Sequence, residues 1–188
     1  MIKMPNMIMI GAAGKNIGKT TLASQIINNF KDNYGIIAIK ITIIRDDGAF
    51  FDGRNAVRVE NLKNGYMITG ETDFKSTKDT SRLLRAGAKK VYWLRTIKSH
   101  IWDGFNDIMR KIPDDAPIVC ESNTLRNHVE PGVFVIVRSS NLNAIKPSAQ
   151  KVWKYADKII YFDSDEFDFE IDEILFKNGK WIAKPDFS

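Results

Sequence analysis

Ala13-Gly14-Lys15-Asn16-Ile17-Gly18-Lys19-Thr20 is the stretch on which the fold turns. It satisfies the phosphate-loop pattern, with alanine in the first glycine slot. The apolar run Met7 to Ala12 (MIMIGA) precedes it, and the helix-forming segment Thr21 to Phe30 (TLASQIINNF) follows it. Strand, glycine loop and helix in that order are the setting in which this pattern cradles phosphate. Gly14 and Gly18 permit a tight turn whose successive N–H groups, backed by a helix N-terminus, surround a β-phosphate. Lys19 then reaches the β- and γ-phosphates, the Thr20 hydroxyl ligates Mg²⁺, and Thr21 meets an α-phosphate oxygen. The expected ligand is a nucleoside triphosphate with Mg²⁺, held by Ala13, Gly14, Lys15, Asn16, Ile17, Gly18, Lys19, Thr20 and Thr21. Dimerising ATPases with a signature lysine carry it in the second slot of the motif. Lys15 stands in the third, so it reads as a solvated or phosphate-facing charge.

Outward from the loop, apolar runs alternate with helical patterns, which is the signature of a parallel sheet covered by helices. Strands are expected near Met7 to Ala12, Ile36 to Ile43, Lys90 to Leu94, Pro117 to Cys120, Val133 to Val137 and Lys158 to Phe162. Helices are expected over Gly18 to Phe30, Asp79 to Ala86, Ile101 to Ile112 and Ala144 to Tyr155, with Asp79 as an N-cap and Gly87 as a stop. Asn64-Gly65 and Asn178-Gly179, each between alternating residues, predict two β-hairpins, Val57 to Glu71 and Ile174 to Ala183. The first belongs to an insertion over about residues 45–78. The fold class expected is α/β, a phosphate-loop NTPase domain over residues 1–188 with an inserted hairpin and a C-terminal one.

A phosphate loop works with an acid at the C-terminal end of a neighbouring buried strand. Glu121 directly follows Pro117 to Cys120, so it is the expected Mg²⁺- or water-positioning carboxylate and, with Lys19, the catalytic pair. The second strand ends in Arg45, Asp46 and Asp47. Either Asp46 or Asp47 supplies a second metal or acceptor contact, or both belong to a solvated loop start. Phe50, Phe51, Asp52, Gly53 and Arg54 suit a substrate lid, and equally suit an anchor that pins the insertion to the core. His100 and His128 have no second histidine at ligand spacing and are assigned structural or solvent roles. Trp93, Trp102, Trp153 and Trp181 are assigned to packing.

A length of 188 residues with 44% hydrophobic content suits one α/β domain. No apolar run reaches membrane-spanning length and MIKMPNMIMI leads straight into the loop, so a soluble cytoplasmic protein is expected. The single cysteine, Cys120, lies in an apolar run, which points to a buried core thiol and excludes an internal disulfide or a cysteine metal site. The net charge of +5 is scattered without a dense basic stripe, which favours phosphorylated small molecules over nucleic acid. The acidic run Asp163 to Glu173 lacks a calcium-loop glycine and is expected to be a solvated surface.

Three stretches carry a family resemblance: IGKTTLASQII (17–27), IIAIKIT (36–42) and KDTSRLLRAGAKKV (78–91). On these the chain resembles the molybdopterin-guanine dinucleotide biosynthesis protein B family, most closely in the helix with Asp79 and Arg82 ending in Ala86, Gly87 and Ala88. The resemblance covers about the first half. It implies guanine-nucleotide binding, weak hydrolysis, a homodimer, a protein partner in cofactor biosynthesis, and help in attaching a nucleotide to the molybdenum cofactor. The chain departs from the family at Ile41, Thr42 and Ile43, where a His-Thr-His usually follows the strand lysine, and at Ser122 and Asn123, where a glycine usually follows the acid. No Asn-Lys-x-Asp guanine signature is present, and Arg138, Ser139, Ser140 and Asn141 are the base-contact candidates by position. GTP or ATP therefore remain the alternatives. Dethiobiotin synthetase is similar more coarsely and gives the alternative of an ATP-dependent small-molecule kinase or synthetase, with Asp46, Asp47 and Arg54 against the acceptor.

Overall fold

A computed structural model describes residues 1–44, 50–52, 55–57 and 62–184, with backbone alone at 50–52, 55–57 and 63. Asp46, Asp47, Gly53 and Arg54 lie outside the described residues, as do the side chains of Phe50, Phe51 and Asp52.

The strand β1 (Ile2–Ala12) sets the plan of the molecule. Its side chains alternate: Ile8 and Ile10 enter one buried cluster, Met7 and Met9 the other. Both faces of the sheet are thus covered, as a parallel strand with a continuous apolar run requires. The helix α1 (Lys19–Phe30) buries Leu22, Ala23, Ile26, Ile27 and Phe30 at helical spacing on the Ile8 face. Then come β2 (Ile37–Ile43), the short pair β3 (Phe50–Asp52) and β4 (Asn55–Val57), β5 (Tyr66–Gly70) and α2 (Asp79–Arg85). β6 (Lys90–Thr96), α3 (Ile101–Met109), β7 (Ile118–Glu121), β8 (Val129–Arg138) and α4 (Pro147–Gln150) follow, then β9 (Lys158–Asp163), β10 (Glu166–Phe167), β11 (Ile174–Lys177) and β12 (Lys180–Ala183).

Among the described residues, eight strands form the main sheet in the order β10-β9-β8-β1-β7-β2-β6-β5. Those from β9 to β6 in that order run parallel, and the edges β10 and β5 are antiparallel. The α/β architecture expected from the alternation is therefore present. β7, which carries the acid, lies between the loop strand β1 and the lysine strand β2, with Glu121 in register with Ile10 on one side and Lys40 on the other.

The Asn178-Gly179 turn has φ 51° and 73°, the left-handed pair that a two-residue hairpin needs, and β11 and β12 pair across it. Trp181 from this hairpin meets Phe30 edge-on at 5.1 Å and Phe176 at 4.9 Å, which covers the end of the Ile8 face. The Asn64-Gly65 turn also has positive φ, 58° and 78°. Its outgoing strand β5, however, pairs with β6, and the inserted antiparallel pair is β3 with β4. The hairpin expected over Val57 to Glu71 is corrected in that respect; residues 58–61 lie outside the described residues.

Two helix expectations are also corrected. Ala144 to Tyr155 yields only α4 and a separate 3-10 turn at Trp153–Tyr155. Pro147 lacks an N–H and forces the preceding Lys146 into extended backbone (φ −62°, ψ 146°), so it can only begin a helix. Asp79 is the first residue of α2 and not its cap. Lys78 holds that position, and the Asp79 carboxylate is drawn to Lys40.

Candidate phosphate-loop site

The chain leaves β1 at Ala12 and enters α1 through Gly18, whose φ of 80° is left-handed. A Cβ there would stand 2.6 Å from the Phe162 ring, so glycine is required by backbone and space alike. The start of the loop is fastened by Asn123, a residue sequence reasoning noted only as a departure from the family. Its Oδ1 accepts from the Ala12 amide at 2.8 Å, and its Nδ2 donates to the Ala12 carbonyl at 3.0 Å and to Ser148 Oγ at 3.2 Å. Asn123, two residues after the acid, therefore ties the end of β1 to the segment that follows β7. Leu142 lies against Gly14, and Ile17 is buried while Lys15 and Asn16 are exposed.

Glu121 is fully buried. Its Oε2 lies 3.7 Å from Lys19 Nζ and 3.3 Å from Lys40 Nζ, while its Oε1 is buried with no hydrogen-bond partner among the described residues. An unpartnered buried carboxylate oxygen costs on the order of 1–3 kcal/mol or more, unless a ligand completes it. Burial pushes the Lys19 ammonium below the usual lysine range, against the pull of Glu121. Burial also works against Lys40, but the Glu121 and Asp79 carboxylates outweigh it and hold Lys40 above that range. Asp79 is likewise opposed by burial, yet Lys40 holds its carboxyl below the usual carboxylate range.

The resemblance helix turns out to be wired to the loop. Lys40 donates to Asp79, Asp79 Oδ1 stands 3.8 Å from Arg82 Nη1, and Arg82 Nη2 donates to Thr21 Oγ1 at 3.0 Å. A hydroxyl that accepts from Arg82 still has its proton to donate. Thr20 is buried in the first turn of α1.

The structure thus brings together Lys19, Thr20, Thr21 and Glu121, and adds Lys40, Asp79, Arg82 and Asn123. Asp46 and Asp47 lie outside the described residues. Among the described residues no group of three or more His, Cys, Asp and Glu gathers as a ready metal cage. A Mg²⁺ that keeps several waters and takes phosphate oxygens needs only one or two protein oxygens, which the Glu121 Oε1 and the Thr20 hydroxyl fit. Of the base-contact candidates, the Ser139 hydroxyl and the Ser140 amide donate to Asp163 Oδ1 at 2.7 and 3.0 Å, and Arg138 lies over Tyr161. The expected solvated acidic run is in part structural: Asp163 takes these serines and Glu173 pairs with Lys158. His100 bonds Asp103 at 3.0 Å and His128 stacks on Trp102, both away from the loop.

LpxK from Aquifex aeolicus, solved in complex with ATP, matches this architecture with a TM-score of 0.53 at 12% sequence identity. The two share an α/β fold with a mostly parallel sheet covered by helices. The match covers 95% of this chain and 53% of LpxK, so the chain spans about half the length of that neighbour. No family model matches the chain, and no curated protein matches it. Among the described residues no helix is long and apolar enough to cross a membrane.

Proposed function

We propose that the chain binds a nucleoside triphosphate with Mg²⁺ and hydrolyses it slowly, as an accessory factor in maturation of a nucleotide-bearing cofactor, molybdopterin guanine dinucleotide. The observation that carries the nucleotide reading is the buried Glu121 with one oxygen between Lys19 and Lys40 and the other without a partner, directly beside the loop. The loop amides from Gly14 to Thr20 surround the phosphates, the Ala13 amide being taken by the Val137 carbonyl at 2.8 Å against the sequence expectation, and Lys19 neutralises the charge that grows on them. Thr20 and Glu121 would hold the Mg²⁺, and Asp46 or Asp47 would add a contact. The ion would supply charge neutralisation at the phosphate oxygens. Thr21, oriented by Arg82, donates to the α-phosphate. The cofactor-maturation role, a homodimer and a protein partner are supported by the sequence resemblance through Asp79, Arg82 and Ala86 to Ala88.

The test combines calorimetry with release of labelled γ-phosphate. Lys19→Ala is expected to weaken triphosphate binding at least about tenfold, since a charged hydrogen bond contributes roughly 1.5–3 kcal/mol. Glu121→Gln should keep affinity within a few fold and lose at least about tenfold in rate, about 1.4 kcal/mol of transition-state stabilisation. Wild-type affinity in a folded Lys19→Ala protein overturns the proposal.

A second reading, phosphoryl transfer to a small acceptor, is favoured by the ATP in LpxK. The accessory reading expects free phosphate, with GTP preferred over ATP, and no label on a metabolite panel. Label on an acceptor decides for the second.

A further inference from the structure

We infer that Lys146 is a further phosphate-binding cation of this site, reaching the polyphosphate of the nucleotide from the connection between β8 and α4. The inference rests on the reading of Ala13 to Thr20 as a nucleotide site and extends it to a residue outside every motif in the chain. Lys146 is docked on the loop twice: its amide donates to the Ala13 carbonyl at 2.9 Å, and its Nζ lies 3.4 Å from the Gly14 carbonyl. Leu142, in the same connection, packs on Gly14.

The charges around it are incomplete. Lys15 of the loop and Lys19 of α1 face Lys146, and both are cations. Asp163, at the end of the neighbouring β9, is taken by Ser139 and Ser140. No carboxylate among the described residues pairs with Lys146. Lys40, by contrast, has two carboxylates, and Lys19 has Glu121. A half-buried ammonium offered one carbonyl and two like charges is unfavourable unless a polyanion completes the site. The triphosphate chain of a nucleotide, bound at the same loop, has that charge and that place.

A pH signature follows. Burial first, then Lys19 and Lys15, lower the Lys146 ammonium to about 8. An arriving polyanion favours the charged form, so binding takes up a proton, and affinity falls by up to about tenfold per pH unit once the pH exceeds that of the free ammonium. Lys19 is lowered too, so the diagnostic is the difference made by changing Lys146 alone.

The experiment is calorimetric titration with a non-hydrolysable nucleoside triphosphate and with inorganic triphosphate, both with Mg²⁺, from pH 7 to 9.5 in two buffers of different ionisation enthalpy. Lys146→Met should weaken both probes at least about tenfold at pH 7.5 and take up fewer protons than wild type near pH 8–9. Lys146→Arg should recover affinity at pH 7.5 and bind without that share of proton uptake, because guanidinium stays charged. If Lys146→Met binds both probes within about twofold of wild type while Lys19→Ala fails to bind, the role of Lys146 is overturned and the loop site stands. Wild-type binding by Lys19→Ala as well overturns both. Should Lys146→Met not fold, equal proton uptake by wild type and Lys146→Arg is the overturning result.

Discussion

Asp79 shows how one side chain joins two elements. It receives Lys40 from β2 and stands 3.8 Å from Arg82 in its own helix, and Arg82 reaches Thr21. Because the folded carboxyl lies below its ordinary 3.8, its contribution to stability is complete above that value and is lost as pH falls through the folded one. Lys40 is raised above its ordinary 10.5, so its share is complete below 10.5 and fades only as pH rises past the folded value. Asp79→Asn should therefore lower the melting temperature by a constant amount between about pH 5 and 9, equivalent to about 1 kcal/mol for a pair with one half-exposed partner. The gap should begin to narrow below about pH 4 and close as pH falls through the folded value. A gap that does not narrow on acidification would point to packing instead of charge. Glu121 was legible in the sequence because an acid after a short apolar run can hardly face anything but the sheet edge. Asn123 and Lys146 were not legible, since their partners are the backbone of Ala12, Ala13 and Gly14, which no spacing encodes.

Among elements, the two Asn-Gly turns are instructive. Both adopt the left-handed conformations that their residues favour, yet only Asn178-Gly179 closes a hairpin of its own. After Asn64-Gly65, β5 takes β6 as partner, with Tyr66 opposite Thr96 and Ile68 opposite Leu94. A dipeptide sets the local turn, whereas the edge of an eight-stranded sheet offers a row of amides and carbonyls that decides the pairing. Pro147 overrides the helix expected over Ala144 to Tyr155, because a residue without an N–H can only begin a helix. The C-terminal hairpin bears stability through Trp181, which is 2% exposed against Phe30 and Phe176. Trp181→Ala should cost about 3–5 kcal/mol, read by urea denaturation at unchanged slope. A loss under about 1 kcal/mol would mean that the hairpin covers nothing essential.

For the molecule as a whole, function and cover sit apart. Trp181 meets α1 at Phe30, about 16 Å along the helix from Lys19, beyond the distance over which substitutions usually couple. Nucleotide at a hundredfold its dissociation constant should stabilise the fold by about 2.7 kcal/mol, a rise of about 5–10 °C in melting temperature. The increment should be the same in Trp181→Ala, and its disappearance there would tie the hairpin to the site. The α/β class was legible because alternating patterns compel a covered parallel sheet; strand order was not, since it depends on which later strand finds β1. Those later strands are β7 and β8, where Met7 faces Ile118 and Ala12 faces Val137. On a ribosome this means that the phosphate-gripping residues are among the first of this sequence to be joined, and that they wait for more than a hundred further residues before their walls exist. A nascent chain shorter than β8 has the motif and no grip, so nucleotide can be held only once β8 has been made and has paired with β1.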